Sequence, residues 1–250
     1  MLKNRIIACM DIQDGEVVKG VNFVDIQRAG DPISLAQRYA NEGIDELVFL
    51  DITATVENRK TLISLVTEIA SQINIPFTVG GGISTQEQAV DLVRAGADKV
   101  SVNSAAIKRP ELIREIAELL GSQCAVVAID TKYEDDEWWV YSAGGRIKTS
   151  LKTIDWVKQV EQLGAGEILL TSMNNDGTKD GFALDITAEV TDIVNIPVIA
   201  SGGAGNINHF VEVFSQTKAT GALAASIFHY GEVNVSQLKQ DLINNNICVR

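Results

Sequence analysis

Cysteine, histidine, proline and positive charge are all scarce in this chain of 250 residues. Its 3 cysteines, Cys9, Cys124 and Cys248, are odd in number and far apart. That argues against a disulfide framework or a zinc site and predicts reduced, mostly buried thiols. Only 2 histidines occur, His209 in a helical stretch and His229 after the last strand pattern; surface or packing roles are expected for both. With 4 prolines and no linker-like stretch, one domain over residues 1–250 is expected. Nowhere do about 18 uncharged apolar residues run together, and MLKNRIIACM lacks a long apolar segment, so no membrane association is expected and the protein should be soluble and cytoplasmic. Lysine and arginine number 21 against 33 aspartates and glutamates, a formal charge of −12. Such a surface argues against nucleic-acid partners, and leaves local backbone N–H groups as anion sites.

What the chain has in abundance is internal repetition. EGIDELVFLDITAT, around Gly43, Glu46 and Leu50, lies over LGAGEILLTSMNN, around Gly164, Glu167 and Thr171, each pair 121 apart. IPFTVGGGI, from Ile75 to Ile83, lies over IPVIASGGA, from Ile196 to Ala204, at the same shift, pairing Gly81 with Gly202 and Gly82 with Gly203. Asp11 and Asp130 are 119 apart, and Asn103 finds Ser226 at 123. A period this long marks two half-domains, about 1–121 and 122–250, well above the size of a solenoid repeat.

Short β-branched runs are expected as eight strands: Arg5 to Asp11, Glu46 to Asp51, Pro76 to Val79, Lys99 to Asn103, Ala125 to Asp130, Glu167 to Thr171, Pro197 to Ala200 and Ala222 to Ala225. Amphipathic helical stretches separate them. Asp31, Pro32 and Gly43 suit the N-cap, first turn and C′ stop of one helix, and Ser84 and Glu87 have capping-box spacing for another. Strict strand–helix alternation over this length predicts an α/β fold, a single (β/α)8 TIM barrel built from two half-barrels. A doubly wound open sheet is the alternative.

In a barrel, alternate strand residues share a face. Arg5, Ile7, Cys9 and Asp11 then point one way, as do Glu46, Val48 and Leu50, Lys99, Ser101 and Asn103, and Glu167, Leu169 and Thr171. Four charges, two of each sign, therefore collect at strand starts. At ~3.3 Å per residue Arg5 and Asp11 lie roughly 20 Å apart along their strand, so these charges sit at the end opposite the strand C-termini, where barrel active sites form. Asp11, Asp51, Asn103, Asp130, Thr171, Asp176 and Ser201 fall at or just past those ends. Each aspartate alone reads equally well as a turn cap; two at equivalent positions in a repeat favour an acid/base pair. The turns VGGGIS and ASGGAGN each follow a strand and precede a helix, an arrangement that aims N–H groups at phosphate. Gly82, Asn103 and Ser104 would form one cradle, and Asp176, Gly177, Gly203, Ala225 and Ser226 the other, for a ligand with a phosphate at each end. The EDDEWWVY run, with Trp138 and Trp139, reads as a hairpin-like insertion after the fifth strand, in which core packing, lid packing and substrate stacking stay open.

Taken together, KNRIIACMDIQDGEVVKGVNF, DELVFLDITA, IPFTVGGGI, GADKVSVNS, GAGEILLTSMNNDGT, IASGGAG and GALAASIFHYGEVNV resemble the cyclase subunit family of imidazole glycerol phosphate synthase, from histidine biosynthesis, over nearly the whole chain. The resemblance implies a lyase that takes phosphoribulosyl-formimino aminoimidazole carboxamide ribonucleotide and ammonia, and yields imidazole glycerol phosphate and aminoimidazole carboxamide ribonucleotide. It implies no metal or organic cofactor. It assigns Asp11 and Asp130 as the acid/base pair, Lys19 to a loop after the first strand, and Arg5, Glu46, Lys99 and Glu167 to a ring through which a glutaminase subunit supplies ammonia. A structural plug is the other reading of that ring. Asp98 matches a residue at the glutaminase contact of the heterodimer. The family usually carries Tyr and Asp where Phe182 and Ala183 stand, and Ser150 to Thr153 matches a variable loop region. The sister isomerase and a non-catalytic, glutaminase-binding barrel are the competing readings.

Overall fold

The computed structural model describes residues 3–13, 16–21, 24–52 and 63–250, with backbone only for 19–21 and 24–29. The first half runs β1 (Arg5–Gln13), β2 (Glu16–Val21), β3 (Val24–Gly30), α1 (Pro32–Glu42), β4 (Glu46–Asp51), α2 (Ile63–Gln72), β5 (Phe77–Gly80), α3 (Gln86–Arg94), β6 (Lys99–Val102), α4 (Ser104–Lys108) and α5 (Glu111–Leu120). The second runs β7 (Ala125–Glu134), β8 (Glu137–Ser142), β9 (Ile147–Lys152), α6 (Thr153–Gln162), β10 (Glu167–Ser172), α7 (Leu184–Ile193), β11 (Val198–Ser201), α8 (Ile207–Gln216), β12 (Gly221–Ala224), α9 (Ser226–His229) and α10 (Val235–Asn244).

Strands β1, β4, β5, β6, β7, β10, β11 and β12 pair in parallel, and the β12–β1 and β7–β10 pairings close them into a barrel. The closed (β/α)8 barrel, and not the open sheet, is the fold. Strand parity sorts the apolar residues into two cores. Ile7, Cys9, Val48, Val126, Leu169, Ile199 and Leu223 fill the barrel interior, while the opposite faces, such as Ile6, Ala8 and Met10 of β1, pack under the helices. Asp31 caps α1, accepting from the Ser34 N–H at 2.8 Å, and Gly43 ends it at φ 90°. Among the described residues no helix is long and apolar enough to cross a membrane.

Several details differ from the sequence reading. Antiparallel hairpins β2–β3 and β8–β9 extend β1 and β7 beyond the barrel wall; the second holds Trp138 and Trp139, and residues 150–152 belong to β9 instead of a loop. Trp138 is buried, Lys148 stacks on Trp139 at 4.6 Å, and neither indole lines the main cavity. The cap of α3 is Thr85, which accepts from the Gln88 N–H, because the glycine turn takes one more residue than the Ser84–Glu87 spacing assumed. Asn103 and Ala225, not Ser226, are equivalent, each preceding a short helix with φ −133° and −126°. Of the thiols only Cys9 is buried; Cys124 is intermediate and Cys248 exposed. His229 is a buried packing residue hydrogen-bonded to the Tyr39 hydroxyl, and His209 accepts from the Gly205 N–H.

Candidate active site

A cavity of about 670 Å³ opens at the C-terminal ends of the barrel strands. Asp11, Asp51, Gly82, Asn103, Ser104, Asp130, Thr171, Asp176, Gly177, Ser201, Gly203, Ala225 and Ser226 all line it. Lys19 lies in β2, and its side chain is outside the described residues.

The two repeat-related aspartates occupy different environments. Asp11 is half-buried, with the Cys9 thiol donating towards its Oδ1 at 3.7 Å. Asp130 is buried, and burial raises its pKa to about 6; the Asn103 hydrogen bond opposes that rise and the Asp176 charge adds to it. Asn103 Nδ2 donates to Asp130 Oδ2 at 2.9 Å, while its buried Oδ1 has no partner among the described residues. Such an acceptor is left for a ligand donor. Register explains the placement: Asp130 pairs with Thr171 and Thr171 with Ser201, so three polar side chains stand at one level of the mouth.

The glycine turns repeat in the left-handed backbone of their paired glycines. Gly81 and Gly202 have φ 93° and 92°. A Cβ on Gly81 would lie 2.2 Å from the Asp51 carbonyl oxygen, and on Gly202 2.7 Å from that of Ser172. Glycine is required there by both dihedral and space.

At the opposite end, the four strand-start charges close a ring. Arg5 reaches Glu46 at 3.1 Å and Glu167 at 2.5 Å, and Lys99 reaches the same two carboxylates at 3.1 and 2.7 Å. Burial works against the Arg5 charge, but Glu167 and Glu46 outweigh it and its pKa is raised. Asp98, exposed beside Lys99, accepts from the Phe77 N–H at 2.9 Å. Phe182 and Ala183 are buried against the helical core, with Phe182 edge-on to Phe210, and do not line the cavity. Sequence reasoning missed the cavity cations Lys108, Arg109, Arg146 and Lys179, because no periodicity tells which loop folds over the mouth.

A family model described as histidine biosynthesis protein matches residues 5–234. The imidazole glycerol phosphate synthase subunit HisF of Flavobacterium johnsoniae is 57% identical over 250 residues, covering all of both chains. That of Pyrococcus furiosus is 58% identical over 250 residues, covering all of this chain and 99% of its own, and that of Streptococcus mutans 57% over the full length of both. On its barrel, its doubled glycine turns and these full-length likenesses, the chain belongs to the histidine biosynthesis protein family.

Proposed function

We propose that this chain is the cyclase subunit of an imidazole glycerol phosphate synthase, acting in the cytoplasm on phosphoribulosyl-formimino aminoimidazole carboxamide ribonucleotide with ammonia. The observation that carries the reading is the pair of unlike carboxylates, Asp11 and Asp130, facing one cavity between two glycine-turn cradles. Closing an imidazole ring needs protons removed and delivered at different atoms, and two carboxylates on one cavity can divide that work. Asp130, whose pKa burial raises to about 6, is mostly ionised at neutral pH yet close enough to it to take up a proton and return it; Asp11, half-buried, is the second acid/base group. Asn103 orients Asp130. The cradles at Gly82, Asn103 and Ser104 and at Asp176, Gly177, Gly203, Ala225 and Ser226 hold the two phosphates, with Asp51, Thr171, Ser201 and Lys19 completing the substrate wall and loop. The doubled cradles and paired hairpins support two half-barrels, about 1–121 and 122–250, within one domain.

Arg5, Glu46, Lys99 and Glu167 then form the gate for ammonia delivered by a glutaminase subunit docked near Asp98. Arg5, Glu46 and Glu167 are buried and Lys99 half-buried, and charges so placed for stability alone gain little, since desolvation consumes most of the Coulombic attraction. Above the gate lie the apolar side chains of the barrel interior, a medium that disfavours ammonium relative to neutral ammonia.

Offered the two successive pathway intermediates separately with excess ammonium, the purified chain should consume only the phosphoribulosyl form. Isomerisation of the earlier intermediate would assign it to the sister isomerase instead. Lys99→Met should depress glutamine-driven activity, measured with the glutaminase present, more than ammonium-driven activity. Equal losses in both assays would count against the gate.

A further inference from the structure

We propose that Arg146, on the turn between β8 and β9, is a binding residue for a phosphate monoester seated at Ser104; only the identity of the natural ligand rests on the cyclase reading. The cavity carries four lining carboxylates, Asp11, Asp51, Asp130 and Asp176, in a chain of net charge −12. Backbone N–H groups contribute only partial charges against that field, so a phosphate dianion needs a full cation nearby. Four cations line the same cavity. Lys179 is already held by Glu232 at 2.7 Å, and Arg109 by Glu115. Among the described residues Lys108 and Arg146 have no carboxylate partner, and the Arg146 guanidinium bonds only to the Ala143 carbonyl of its own turn, at 3.3 Å.

The turn is fixed to the cradle it would complete. Ala143, Gly144 and Gly145 take left-handed φ values of 54°, 62° and 76°, and the Ala143 N–H donates to Ser104 Oγ at 2.8 Å. A serine hydroxyl that accepts through its oxygen keeps its own proton to donate, here towards a phosphate oxygen. Gly144 and Arg146 line the cavity alongside Ser104, and a guanidinium fork suits the oxygens of a phosphate. The two phosphate ends are thereby unequal. Among the described residues, the Ser104 end gains an uncommitted arginine and the Gly203 end a lysine shared with Glu232.

Titrating the whole chain with inorganic phosphate at low ionic strength tests this on its own, without reference to turnover. Arg146→Gln should weaken the tighter phosphate site about tenfold, the loss of one charged hydrogen bond, and Arg146→Lys should recover part of it. Lys179→Gln should leave that site within about twofold, since its lysine is spent on Glu232. In the ammonium-driven assay, Arg146→Gln should raise KM about tenfold with kcat little changed. Phosphate affinity unaltered in Arg146→Gln, or lowered equally by Lys179→Gln, overturns the proposal. Weakened phosphate binding in a chain that does no cyclisation would uphold Arg146 and reject the cyclase reading.

Discussion

Asp130→Asn is expected to remove nearly all turnover and, at neutral pH, to make the fold more stable. Loss of a positioned acid/base group costs about 10²–10⁴ in rate. The stability gain follows from where the carboxyl sits. Its pKa is raised by burial from 3.8 to about 6, so the native state holds a proton that the unfolded chain has already released. Below about pH 4 both states are protonated and the group contributes nothing. As pH rises from 4 to 6 the native state loses stability, and above 6 it carries the whole cost of a buried carboxylate, on the order of 3 kcal/mol. Asparagine has no charge to bury, and its amide oxygen can still accept from Asn103 Nδ2. Urea unfolding of both proteins at pH 4 and pH 8 should therefore show curves that nearly coincide at pH 4 and a clear gain for the variant at pH 8. A variant equally destabilised at both values would refute the environment described for Asp130.

Glu167→Ala should be the most destabilising single change in the charge ring. Glu167 is 3% exposed and binds both cations of the ring. Its removal leaves Arg5, itself 6% exposed, sharing Glu46 with Lys99. Breaking a buried pair from one side costs about 3–5 kcal/mol, because the partner charge stays out of water without compensation. Truncating Lys218, whose bridge to Asp192 lies on the surface, should change stability little. The shift in urea midpoint at constant slope reads both effects. A Glu167→Ala midpoint as close to the parent as that of Lys218→Ala would mean that water or neighbouring groups already screen the ring.

The barrel was legible because its signals are local. Buried parallel strands read as short apolar runs, and parity in β1, β4, β6 and β10 puts Arg5, Glu46, Lys99 and Glu167 on the same faces as the residues at the strand ends. The repeat exposed the pairing of Gly81 with Gly202, whose φ values agree within a degree. Less legible were elements that pack on nothing. Strand β9 is largely exposed, so IKTSLK carries no apolar alternation to mark it. Hairpin β2–β3 joins strands through polar, glycine-containing sequence that reads as loop. The capping residue of α3 slipped by one because the length of a glycine turn depends on backbone dihedrals that composition does not encode. The position of Arg146 depends on a tertiary bond, Ala143 to Ser104, across 39 residues. The unlike environments of Asp11 and Asp130 also escape a sequence repeat, since equivalent positions carry Asn103 in one half and Ala225 in the other.

The most direct test of the account is the consumption of the phosphoribulosyl-formimino substrate by the purified chain, supplied with excess ammonium salt and no partner, beside Asp11→Asn. Paired carboxylates at the barrel mouth predict ammonia-dependent turnover in the parent, and in Asp11→Asn a fall in kcat of about 10²-fold or more with substrate affinity kept. Turnover retained in Asp11→Asn, or none in a parent chain that still binds the substrate, would contradict it.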